Sequence, residues 1–129
     1  MLGQRLGWPA DSLRVHALPR EVGPGNVLCA VVESEQVAEV FTGFGEKSVR
    51  AEAVAEGVAA EVRADLEAGV PVGAHLADQL ILLLAMAGGG SFRTLPLSGH
   101  ARTQLELVAE WTGVRFAVDE KSGLVAVGA

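Results

Sequence analysis

Cysteine, positive charge and long apolar runs are all scarce in this chain. Cys29 is the only cysteine, so no disulfide can form within one chain. Its place in the apolar run Val27-Leu28-Cys29-Ala30-Val31-Val32 reads as a buried thiol in a reducing compartment. Ten lysines and arginines stand against sixteen aspartates and glutamates, a net charge of -6, which argues against a broad, non-specific grip on nucleic acid. The longest apolar stretch, Leu80 to Ala87, falls far short of the ~20 residues that a membrane-spanning helix needs. The opening MLGQRLGWPADSLR lacks the long apolar region of a secretory signal, so a cytoplasmic protein is expected. His16, Cys29, His75 and His100 have no metal-ligand spacing, so a zinc site is not expected. No internal repeat or low-complexity tract is visible.

What is present is a chain of 129 residues, long enough to bury a real core. Its 50% hydrophobic content and mean hydropathy of +0.34 are high for a solvated domain. Either the core is rich in alanine and valine, or some apolar surface is meant for a partner. Residues 1 to 25 read as irregular, broken by Pro9, Pro19 and Gly23-Pro24-Gly25. Val27 to Val32 reads as a buried strand and Phe41 to Gly45 as a glycine-rich corner. Ser48 is a plausible N-cap for a helix carrying Ala51, Val54, Ala55, Val58, Val62 and Leu66 at helical spacing, stopped by Gly69 to Gly73. Ala74 to Ala87 predicts a helix that is apolar all round after its first turns, hence buried between other elements. Ser91 to Leu97 reads as a strand and Ala101 to Trp111 as a third helix. Val114 to Val118 and Leu124 to Val127 read as a hairpin around Glu120-Lys121-Ser122-Gly123. The order β-α-α-β-α-β-β points to an α/β or α+β sandwich.

Two segments could carry chemistry. In L-P-L-S-G-H-A-R, His100 sits just after a strand and at the start of a helix. A neutral imidazole there is a competent nucleophile, and the helix N-terminus favours a nearby phosphate. It could equally be a first-turn polar residue satisfied by backbone, and the residues alone leave both open. In H-L-A-D-Q-L, His75, Asp78 and Gln79 lie near one helix face. Asp78 could hold a metal ion or a nucleotide hydroxyl, or simply be an acid favoured by the helix dipole. Gly88 to Gly90 follows a helix rather than preceding one, so it reads as a helix stop and not a phosphate loop. Gly43 to Lys47 has neither Walker nor dinucleotide spacing. Arg93, Arg102 and Arg115 could meet an anionic ligand or be scattered surface residues.

The wording of the chain goes further. GPGN (23 to 26), VESE (32 to 35), FTGFGEKSVRAEAVA (41 to 55), PVGAHLADQLILLLAMAGGGSF (71 to 92) and LPLSGH (95 to 100) resemble the C-terminal part of the RNA 3'-terminal phosphate cyclase family. The likeness runs from about Gly23 to Phe116. It implies an enzyme that spends ATP to convert an RNA 3'-phosphate end to a 2',3'-cyclic phosphate through a covalent histidine-AMP intermediate. It makes His100 the nucleophile and His75, Asp78 and Gln79 nucleotide-binding residues, with His75 where some members stack a tyrosine on adenine. Mg²⁺ or Mn²⁺ is the implied divalent cation. Residues 1–69 would be the latter part of an inserted domain and 70–129 the C-terminal part of the catalytic domain, with no catalytic role for Lys47. Two local departures are Thr103-Gln104, where the family usually has Thr-Asn, and Leu83, where it often has proline. The larger departure is length, since the family's N-terminal repeats supply ATP, metal and RNA-phosphate ligands. The expected partners are therefore RNA, ATP and a separate N-terminal half, or self-association. The competing readings are a non-catalytic cyclase-like binding or assembly module, and a truncated remnant that associates through its apolar helix.

Overall fold

The computed structural model describes residues 1–22 and 25–128. It contains helices and two small sheets, an α/β fold. Two compact units share the chain. One comprises Met1–Val32 and Val40–Glu67, the other Glu33–Glu39 and Ala68–Ala129. No described helix is long and apolar enough to cross a membrane.

The first unit is more regular than its sequence suggests. Residues 1 to 22 include helix α1 (Leu2–Leu6) and two 3₁₀ turns, Ala10–Ser12 and Arg20–Val22. Gly23 and Pro24, part of the expected breaker, lie outside the described residues. Strands β1 (Val27–Glu33) and β2 (Ala38–Phe44) form a two-stranded sheet. Backbone bonds from Ser34 N–H to Val37 O (2.9 Å) and Gly45 N–H to Asn26 O (2.9 Å) mark it as a hairpin. Phe41 to Gly45 is thus mostly strand, not a corner. Helix α2 (Ala51–Ala68) buries Ala55, Val58, Ala59 and Val62, packed with Leu2, Ala30 and Phe41. Gly43 permits the approach: a Cβ there would lie 2.6 Å from Val58 Cγ2 and 2.8 Å from Val54 Cγ1.

Three expectations fail here for physical reasons. Cys29 is exposed, because β1 alternates and turns Ala30 to the core while Cys29 faces the other way. With one partner strand and one packed face, β1 is half-buried rather than buried. Ser48 is not the N-cap of α2: its φ is 71°, and the Arg50 carbonyl accepts the first helical N–H groups, from Ala53 at 2.9 Å and Val54 at 3.3 Å.

The second unit is a helix pair on a sheet. Helix α3 (Ala74–Ala87) leads through Gly88, in the left-handed region, into β3 (Gly90–Arg93). Helix α4 (Gly99–Thr112) then leads through Gly113 into β4 (Arg115–Asp119), and β5 (Leu124–Gly128) returns between β3 and β4. Both outer strands run antiparallel to β5, so they run parallel to each other, with α4 crossing from one to the other. Phe92 pairs with Val125 and Phe116 with Val127. Phe92 and Val125 meet Ala77, Ile81 and Ala85 of α3 and Ala101, Leu105 and Val108 of α4 in one core, with Phe116 packed against it. The strand expected over Ser91 to Leu97 ends early, at Arg93. Thr94 instead bridges to Val72. Nor is α3 buried all round: Leu82, Leu83 and Met86 are exposed, because the sheet and α4 cover only the Ala77–Ile81–Ala85 side. At the start of α3, the buried Glu39 accepts a hydrogen bond from the Gly73 N–H at 2.8 Å.

Candidate functional site

Both helices of the second unit begin at the same end of the sheet, and the candidate residues collect there. Ser98 is the N-cap of α4: its Oγ accepts the Ala101 N–H at 2.9 Å. Its hydroxyl donates toward Asp78 Oδ1 across 3.5 Å, so one side chain links the two helix starts. A hydroxyl can donate and accept at once, which this position uses in both directions.

His100 is the second residue of α4, and it is exposed. The first intrahelical bond, Arg102 N–H to Ser98 O at 3.1 Å, comes after it, so the amides of Gly99 and His100 belong to the open, electropositive end of the helix. A phosphate approaching His100 therefore meets backbone N–H groups beside the imidazole. Thr103 Oγ1 donates to Gly99 O at 3.1 Å. Gln104, where the chain departs from the resembled pattern, is half-buried. Its Oε1 has no hydrogen-bond partner among the described residues.

The structure brings Asp78 to Ser98 and leaves His75 and Gln79 exposed on the first turns of α3. It does not leave Arg102 free for an anion: Arg102 Nη1 pairs with Glu120 Oε1 at 2.6 Å. Arg93 lies on β3 close enough to Asp119 to help hold that carboxyl below its ordinary range. The larger causes there are hydrogen bonds from the Ser122 hydroxyl and the Lys121 amide. No group of three His, Cys, Asp or Glu side chains that could hold a metal ion occurs among the described residues.

Two features went unread in the sequence. Ser98 as cap had a signal, a serine three positions before the buried Ala101. A cavity of about 220 Å³ had none. It is lined by residues 94 to 97, Arg102, and the β4–β5 turn with its flanking strand residues, segments far apart in the chain.

A family model described as RNA 3'-terminal phosphate cyclase matches residues 13–118. A protein named RNA 3'-terminal phosphate cyclase from Ectopseudomonas mendocina (strain ymp) is 42% identical over 115 residues, covering 89% of this chain and 34% of its own length. A protein of the same name from Salmonella paratyphi C (strain RKS4594) is 44% identical over 120 residues, or 93% of this chain and 35% of its own. One from Pseudomonas fluorescens is 42% identical over 112 residues. The chain spans about a third of the length of these relatives.

Proposed function

This chain belongs to the RNA 3'-terminal phosphate cyclase family, and we propose that it supplies the histidine-bearing segment of an ATP-dependent cyclase. Residues up to about 69 would be the latter part of an inserted domain, and residues 70–129 the last part of the catalytic domain. The observation that carries this reading is the exposed His100 at the open end of α4, beside the Ser98–Asp78 link.

In the proposed reaction a neutral His100 ring nitrogen attacks the α-phosphorus of ATP. A P–N bond forms as the bond to the β-phosphate oxygen breaks, and pyrophosphate leaves. The α4 amides stabilise negative charge on the phosphoryl oxygens. An oxygen of the RNA 3'-phosphate then displaces His100 from phosphorus. The ribose 2'-hydroxyl attacks the activated 3'-phosphate, loses its proton, and releases AMP as the cyclic phosphate closes. His75, Asp78 and Gln79 would contact the nucleoside, with the His75 ring available to stack on adenine and Asp78 to accept a hydroxyl proton. Among the described residues no group of three His, Cys, Asp or Glu side chains could hold a metal ion, so these residues do not fit a protein-built metal cage. Mg²⁺ or Mn²⁺ enters with the triphosphate, as part of the substrate.

With Arg102 paired to Glu120, and with a third of the relatives' length present, the isolated chain is expected to be inactive or nearly so, since a nucleophile without positioned phosphate ligands loses most transition-state stabilisation. The test is α-labelled ATP with a divalent cation. Acid-labile label should appear on His100 only when the complementary polypeptide is present, and should vanish in His100→Ala. Robust labelling of the chain alone would overturn the inactivity. No labelling in the complex would favour a non-catalytic assembly module.

A further inference from the structure

The cavity of about 220 Å³ in the second unit lies against the start of the His100 helix. Residues 94 to 97, which form one wall, run directly into the Ser98 cap, and Arg102 reaches the cavity from the first turn of α4. The β4–β5 turn and its flanking strand residues complete it, and none of the lining residues comes from α3. The start of α4 is therefore served twice. The Ser98–Asp78 link joins it to α3, and a separate cavity adjoins it. The volume is below the roughly 300–1,000 Å³ of a pocket that holds a drug-sized ligand, which suits one ring system rather than a whole nucleotide.

The lining sets the chemistry of that ring. Leu95, Pro96, Leu97 and Val118 offer apolar surface for its faces. Arg102 Nη1 and Glu120 Oε1 pair at 2.6 Å, which leaves Glu120 Oε2 and further guanidinium N–H groups for a ring edge. Asp119 is already committed, with Oδ1 accepting the Lys121 N–H at 3.0 Å and Oδ2 the Ser122 hydroxyl at 2.7 Å. Thr94 is 3% exposed, and its Oγ1 has no hydrogen-bond partner among the described residues. Native walls rarely leave a buried hydroxyl so. Among the lining residues two carboxylates stand against one paired guanidinium, a balance that repels a free phosphate. The occupant that fits is an uncharged ring with hydrogen-bonding edges.

We infer that this cavity receives the terminal nucleobase of an RNA 3'-phosphate end, guanine most tightly. The inference rests on the proposed role of His100, since that role is what brings an RNA end to the start of α4. A base taken up here leaves its ribose and 3'-phosphate outside, at the loop that leads to His100. Guanine alone among the four bases presents two neighbouring donors, the N1 and N2 N–H groups, beside an acceptor, O6. Glu120 accepts from the donors and Arg102 donates to the acceptor. Capture of a single base also agrees with the net charge of -6, which disfavours a grip along the phosphate backbone.

The experiment titrates the full 129-residue chain, isotope-labelled and without ATP, with the four nucleoside 3'-monophosphates and with inorganic phosphate, read by amide NMR shifts. Guanosine 3'-monophosphate should move the amides of Thr94, Leu97, Arg102 and Gly123 and bind roughly tenfold more tightly than the uridine compound. Inorganic phosphate should leave these amides in place. Glu120→Gln, at an exposed side chain, should weaken guanosine binding roughly fivefold and uridine binding by less than about twofold. A merely structural role would not change the base preference. Val118→Trp, at a rim position that is 40% exposed, should block all four compounds with circular dichroism unchanged. No shift with any nucleotide, equal affinity for guanosine and uridine, an equal response to inorganic phosphate, or an unaltered guanine preference in Glu120→Gln would each overturn the inference. Base-dependent shifts with no label on His100 beside the complementary polypeptide would overturn the proposed chemistry alone. Label without shifts would overturn this inference alone.

Discussion

Ser98 Oγ lies 3.5 Å from Asp78 Oδ1 while accepting the Ala101 N–H at 2.9 Å. The cap of one helix is thereby turned toward the second turn of the other. Ser98→Ala should cost about 1 kcal/mol of stability through the lost cap, read from urea unfolding. Asp78→Asn keeps the cap and an acceptor oxygen, so it should cost less than Ser98→Ala. Equal losses would mean that the link, not the cap, carries the energy.

Asp65 is 7% exposed on α2, and its Oδ1 has no hydrogen-bond partner among the described residues. Burial pushes its carboxyl above the ordinary range. A native pKa above the unfolded one gives a contribution that is fullest below the unfolded value and is lost as pH rises through the native value. Asp65→Asn removes the charge that burial disfavours. The variant should exceed the parent by about 1 kcal/mol near neutral pH, with the gap closing toward about pH 4. Thermal melts across that range decide it: a gap independent of pH would exclude the charge as the cause.

Gly123 closes the β4–β5 turn at φ 68°, and a Cβ there would stand 2.3 Å from the Thr94 carbonyl oxygen. The same carbonyl segment is held by a Thr94 N–H bond to Gly123 O at 3.0 Å, so neither side can give way freely. Gly123→Ala should cost roughly 1–3 kcal/mol, measured by chemical denaturation. A loss of under about 0.5 kcal/mol, the level of an ordinary surface change, would show that the turn relaxes.

At Gly43 the obstacle is packing rather than backbone conformation. An added methyl meets Val58 and Val54 below 3.0 Å, forcing α2 away from β2. Gly43→Ala should destabilise by roughly 1–3 kcal/mol. The shorter Val58→Ala, made in the same chain, should recover part of that loss if the clash is the cause.

Much of the second unit was legible because its punctuation is local. Ala74 to Ala87 is bounded as its pattern implies, the glycines after each helix stop it, and the hairpin turn falls on residues 120 to 123. The first unit was harder to read. Two of the five residues in Phe41-Thr42-Gly43-Phe44-Gly45 are glycines, and they suggested a bend only because glycine usually does. Gly43 is instead a place where a strand meets a helix too closely for any side chain. The inward face of β1 could not be known without its single partner, so Cys29 was turned the wrong way. Likewise, the composition of α3 could not reveal that its sheet covers one side alone. At the candidate site, the words of the chain pointed to His100, Asp78 and Gln79 separately. Only folding shows Ser98 joining Asp78 to the start of the helix that bears His100.

The central position of β5 sets an order of events in folding. Both β3 and β4 pair with β5 and not with each other, so neither has a strand partner until residues 124 to 128 are in place. The helices can form earlier from local contacts, but their core lacks Val125 until then. The long-range pairing of Gly90–Arg93 with Leu124–Val127 should therefore come late and limit the folding rate of this unit. A nascent chain, or one clipped before Leu124, would hold the His100 helix without the strand that fixes it in place.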